Sequence, residues 1–145
     1  MNLKIDQSDL NKLKNKLDKM RAFESKTLSN ELGKTGMEIV RLAKRSAPVD
    51  NGALKQSISA QRSGKSINVV AAAHYAPYVE FGTGGCVDLT DMIELGIPPS
   101  YAAQFKGKGI RDINLPARPF FFSSARIGFK NLLNRLNGEI KKAIK

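Results

Sequence analysis

The 145-residue chain is 41% hydrophobic and 26% charged, an ordinary globular balance, and its length suits one domain with a modest core. Net charge is +11 and sits at the ends: residues 1–47 hold 11 Lys/Arg against 6 Asp/Glu, residues 117–145 hold 7 against 1, and residues 48–116 hold 6 against 6. Basic ends favour acidic partners or nucleic acid, while one His, one Cys and no apolar run longer than Val69–Ala73 exclude an internal disulfide, a zinc site from this chain alone and a membrane-spanning helix.

Residues Met1–Met20 alternate Lys, Asn and Asp with isolated leucines. They lack the continuous apolar stretch of a secretory signal, so synthesis in a reducing cytosol is expected. Leu10, Leu13, Leu17 and Met20 recur at steps of three and four, and Ser8 or Asp9 can cap the start, which predicts an amphipathic helix over 9–22. A longer helix is predicted over 25–46, with Leu28, Leu32, Ile39 and Ala43 on one stripe and Pro48 beyond its end. Gly33 and Gly36 each cost about 1 kcal/mol relative to Ala in a helix, so they mark a bend or a close helix-to-sheet approach.

The period then changes to two. Ile58 and Ala60, then Ile67, Val69 and Ala71, alternate with polar residues around Ser63-Gly64-Lys65, the pattern of a β-hairpin. Tyr78, Val79 and Glu80 read as a third strand running up to the glycines at 82, 84 and 85. Residues 85–116 have no sustained period and contain Pro98, Pro99, Gly107 and Gly109, a connection far longer than usual. Phe122, Ala125, Phe129, Leu132, Leu133, Leu136 and Ile140 predict a last helix over 120–142. The fold class is therefore α+β: a small antiparallel sheet packed against a long N-terminal helix and a C-terminal helix. The chain reads as a single domain, 1–145, with 1–24 a helical extension and 85–116 a long loop.

Catalytic motifs are incomplete. Any triad would need His74, which reads as a packed or surface residue. Gly64-Lys65-Ser66 resembles the end of a phosphate-binding loop, but Ser59 stands where the earlier glycine is required and no helix follows. Gly82-Thr83-Gly84-Gly85 lacks the spacing of a dinucleotide site. Asp88, Asp91 and Glu94 could share a helix face and gather a divalent cation, and Tyr101, Phe105, Lys106 and Lys108 place aromatics beside cations as single-strand binders do. A solvated acidic face and a weak two-aromatic signal are the plainer readings. No catalytic residue, metal ligand or cofactor is assigned.

Three blocks carry a more specific pattern: Ala47-Pro48-Val49-Asp50-Asn51-Gly52-Ala53-Leu54-Lys55-Gln56-Ser57-Ile58, His74-Tyr75-Ala76-Pro77-Tyr78-Val79-Glu80-Phe81-Gly82-Thr83-Gly84 and Pro116-Ala117-Arg118-Pro119-Phe120-Phe121. Pro48 stops the long helix, Asp50 and Asn51 favour a turn, Gly52 relaxes the backbone, and Leu54 and Ile58 re-enter the core. Tyr75, Tyr78 and Phe81 concentrate aromatic area beside Glu80, with Gly82 and Thr83 ending the element. Pro119 suits the first turn of the last helix and Phe120 anchors it.

In order and content, over roughly residues 28–140, these blocks resemble a family of small tail-component proteins from long-tailed phages and prophages, the tail-completion, tail-terminator or head-to-tail joining proteins. The resemblance implies a non-enzymatic structural protein made in the host cytoplasm and built into the virion at the tail or head-to-tail interface. It implies self-association into a ring, of six copies, that ends the tail tube and offers a surface to the head connector or stopper protein. Genome DNA would pass through the channel without sequence-specific binding, and no membrane partner is implied. A basic nucleic-acid-binding module on the end helices is the alternative reading. The 85–116 loop is expected to order against a neighbour or line the channel.

Overall fold

The computed structural model describes residues 7–50, 52–87, 100–101, 104–106 and 114–144. Helical backbone runs without a break from Gln7 to Ser46: α1 (Gln7–Ala22), a π-helical stretch (Phe23–Leu28) and α2 (Ser29–Ser46). The two helices expected at 9–22 and 25–46 are thus one rod, because Ala22, Leu28 and Ser29 all keep right-handed helical dihedrals. A π-helical stretch absorbs the junction between the two expected ranges.

Ala47 closes α2 by donating its N–H to the Ala43 carbonyl (2.8 Å) and turning to an extended conformation, as Pro48 requires of the residue before it. Gly52 adopts a left-handed φ of +80° and α3 (Ala53–Ser57) follows, so the expected helix-to-strand corner contains one extra helical turn. Next come β1 (Ile58–Ser63) and β2 (Ser66–Ala71), an antiparallel pair in register from Ile58–Ala71 to Ser63–Ser66. Gly64 takes φ +57° in the turn, which disposes of the phosphate-loop reading of Gly64-Lys65-Ser66.

The expected third strand is instead α4 (Ala76–Phe81). Pro77 explains the difference: it has no N–H to give a strand ladder, but in the first turn of a helix that donor is not needed. Among the described residues the sheet has two strands. After α4 come a 3₁₀ turn (Gly84–Cys86), a second (Gln104–Lys106) and α5 (Phe122–Ile144), which begins two residues later than expected. Asp88, Asp91, Glu94 and Lys108 lie outside the described residues.

The core gathers Val40, Ala43 and Ala47 of α2 and its end, Leu54, Ile58, Ala76 and Phe120, with Val69, Ala71, Tyr75 and Val79 packed around them. Two glycines set the layer spacings. A Cβ on Gly36 would lie 2.4 Å from Ile67 Cγ2, so β2 rests directly on the α2 backbone, and a Cβ on Gly128 would lie 2.4 Å from Ile39 Cγ1, so α5 does the same from another side. A Cβ on Gly33 would meet nothing within 4 Å beyond its own helix. Only Gly36 of the pair marks the close helix-to-sheet approach.

Along α5 the apolar spacing picks out only part of the buried face: Leu132 is buried and Phe122, Ala125 and Leu136 are half-buried, as the stripe requires. Ser124, Gly128 and Leu132 face inward, while Phe129, Leu133 and Ile140 stay exposed. Small residues win because the α2 and α5 backbones approach closely, and polar pairs fill the rest of the seam. Arg135 donates to Glu31 (2.8 Å), Glu38 (3.0 Å) and the Thr35 hydroxyl (2.7 Å), and Asn131 donates to Glu38 (2.7 Å). Lys34 holds the other Glu31 oxygen at 2.6 Å.

Candidate assembly surface

The first and second motif blocks meet at an open cleft of about 430 Å³ lined by Pro48, Val49, Asp50, Gly52, Leu54, Tyr75 and Val79, with Arg118 of the third block at its side. α2's end supplies Pro48, the left-handed Gly52 turns the chain, and Ala47, Leu54 and Ile58 of the block are deeply buried. Tyr75 caps α4 by accepting the Val79 N–H at its carbonyl (3.2 Å), and Asp50 points to solvent.

The second and third blocks are joined by one buried side chain. Glu80 is 4% exposed, and its carboxylate accepts the backbone N–H groups of Phe120 (2.7 Å), Phe121 (2.8 Å) and Phe122 (3.0 Å). These are the donors that the start of α5 leaves without carbonyl partners, at the end of the helix where a negative charge is favoured. Pro119 was expected in the first turn but stands three residues before α5 and leads the chain onto Glu80. Phe120 is fully buried and anchors the helix.

Around this cap lies an aromatic cluster. Phe81 stacks on Phe105 (5.4 Å between ring centroids) and packs against Tyr101 and Phe122, while half-exposed Tyr78 meets Phe105 edge-on. Part of the long connection is therefore fastened to the fold within one subunit. Its neck is closed as well: Thr83 exchanges hydrogen bonds with Leu115 through its own N–H and hydroxyl (both 3.0 Å), and Gly85 donates to Asn114 (2.9 Å). Gly82, at φ +75°, permits this, since a Cβ there would fall 2.7 Å from the Leu115 carbonyl oxygen.

Pro48, Gly52, Leu54 and Tyr75 thus belong to a corner, Glu80 and Phe120 to a cap, and Gly82 and Thr83 to a neck. His74 is exposed and edge-on to Tyr75 at 5.3 Å, and Cys86 is an exposed free thiol. Among the described residues no group of three His, Cys, Asp or Glu side chains could hold a metal ion, and no helix is long and apolar enough to cross a membrane.

The Glu31–Glu38–Arg135 network escaped the sequence reading. Its signal was present as Glu31, Thr35 and Glu38 on one face of α2 opposite Asn131 and Arg135 one turn apart, but either set alone looks like a solvated face. Hydrogen bonds from Lys34 and Arg135 hold the Glu31 carboxyl below the usual range against its burial, those from Asn131 and Arg135 do so for Glu38, and the Arg135 guanidinium is pushed up in return.

Surface apolar groups are the other feature that sequence alone misplaced. Leu10, Leu13, Leu17 and Met20 on α1, and Phe129, Leu133 and Ile140 on α5, are exposed. Large apolar side chains lined up on an exposed helix face are the kind of surface that a partner can cover.

Residues 11–82 match the model of a family described as "Bacteriophage HK97-gp10, putative tail-component". The match begins inside α1 and ends at Gly82, earlier at both ends than the expected span of 28–140. It takes in the first motif block and the second as far as Gly82, while the third, which Glu80 grips, lies beyond it. No curated protein and no solved structure matches the chain significantly.

Proposed function

We propose that this chain, similar over residues 11–82 to a phage tail-component family, is a structural subunit of the virion that completes the tail. In this reading copies associate into a ring, of six subunits, at the head-proximal end of the tail tube, where the ring stops tube growth and presents a surface to the head connector or stopper protein. The family match carries the proposal. Two exposed apolar helix stripes support a role in assembly, because each leaves large side chains for a partner to cover.

The role is structural and requires no turnover. DNA would pass through the ring and meet basic side chains without base-specific contacts. Size-exclusion chromatography with light scattering, with and without the tail-tube protein, tests the reading. Self-association or tube binding is expected; a strictly monomeric chain that never binds the tube would remove the proposal.

A further inference from the structure

The seam between α2 and α5 fixes how far each helix reaches. Glu38 pairs with Asn131 and Arg135, and Glu31 pairs with Arg135, so the two helices run antiparallel. α5 then ends beside the junction of α1 and the π-helical stretch: Glu139 and Lys142 share a cleft with Lys19, Ala22, Phe23 and Lys26. Upstream of Lys19 no described helix of the same subunit accompanies α1. About three turns of it, at 1.5 Å per residue, overhang the bundle.

That overhang carries an apolar seam. Leu10, Leu13, Leu17 and Met20 are 45–55% exposed and follow the three-four spacing that lets one helix insert its side chains between those of another. Every described side chain on α1 is exposed, so no described residue of its own subunit covers the seam. A matching seam lies on α5, flanking the face that packs on α2. Phe129, Leu133 and Ile140 are 39–60% exposed and, with half-buried Leu136 between them, follow the complementary four-three-four spacing over a similar length.

We infer that α1 of one copy docks on the Phe129–Ile140 face of α5 in the next copy. This rests on the tail-completion reading above and names the contact that would build its ring. Together the two seams offer roughly 600–700 Å² of apolar surface, near the apolar share of the smallest stable interfaces, which bury about 1,200 Å² in all. A second copy is the occupant because each subunit brings both halves. One arm and one acceptor per subunit form a head-to-tail contact, which closes into a ring when its rotation allows.

The test uses the full chain and two double variants, L13E/L17E on the arm and F129E/L133E on the acceptor, measured by light scattering and circular dichroism. Wild type is expected to be multimeric and each variant monomeric with helicity retained. An equimolar mixture of the variants should form a 1:1 dimer, since one intact arm and one intact acceptor remain. L13A/L17A and L133A keep the test should the glutamates unfold the chain. Arm variants that assemble like wild type, acceptor variants that still dimerise through α1–α1 pairing, or a mixture that stays monomeric would overturn the inference. If those results came with the chain present in purified particles, the docking would fail and the tail-component reading would stand.

Discussion

The Glu80 carboxylate lies 2.7 Å from the backbone nitrogen of Phe120, forty positions later in the chain, and the same group takes the next two backbone donors. A short helix inside the family-matched stretch thereby fixes where the C-terminal helix begins. The short helix belongs to the second motif block, and the third block, Pro116–Phe121, leads directly into α5.

Removing that carboxylate leaves three donors of a buried helix start without partners. Glu80→Ala should cost about 2–4 kcal/mol of unfolding free energy, and Glu80→Gln, which keeps one acceptor oxygen, about half as much. Urea denaturation measures both. A loss below about 0.5 kcal/mol for the alanine variant would show that solvent or another group caps the helix.

Gly33 and Gly36 look alike in sequence and should respond oppositely to the same change. Gly33→Ala enters open space and should stabilise by up to about 1 kcal/mol through helix propensity. Gly36→Ala drives its methyl into the β-branched Ile67, and the clash should outweigh the propensity gain, for a net loss of about 1–2 kcal/mol. Thermal unfolding of the two variants side by side decides this, and stabilisation by both would contradict the close packing of β2 on α2.

Acid should loosen the α2–α5 seam. Glu31 and Glu38 have folded pKa values below the ordinary 4.5, so their contribution is fully present above that pH and is lost as pH falls through the depressed values. Wild type should lose stability between about pH 5 and pH 3 more steeply than an E31Q/E38Q variant. Arg135→Met should cost about 2–3 kcal/mol at pH 7, discounted because Arg135 is one-third exposed, and progressively less below pH 4 as the carboxylates it neutralises become uncharged. Equal pH slopes for wild type and E31Q/E38Q would contradict the network.

Salt separates assembly from nucleic-acid binding. Subunits at +11 repel one another, so self-association through apolar seams should hold or strengthen from 50 to 500 mM NaCl as charge is screened. Binding to DNA through Lys and Arg should weaken steeply over the same range. Light scattering and fluorescence anisotropy across the series read the two; self-association that disappears with salt would contradict an apolar seam.

Much of the fold was legible because periods and stop signals are local. The hairpin showed in Ile58, Ala60, Ile67, Val69 and Ala71, and Pro48 marked the end of α2. What the sequence hid depends on contacts between distant segments. Tyr78–Glu80 reads as a strand until Pro77 is weighed against it. The inward face of α5 adds Ser124 and Gly128 to the expected Leu132 because α2 is close, whereas apolar spacing alone also selects the outward Phe129 and Leu133. For the same reason the motif blocks pointed to a family through residues that build a corner, a cap and a neck, while the surface available to partners lies on the helices around them.

Electron microscopy of particles assembled without this chain tests the tail-completion role most directly. The account predicts filled heads and separate tails, with tube lengths no longer held to one value, and restoration of joined particles when the chain is supplied. Normally joined, infectious particles lacking the chain would contradict it.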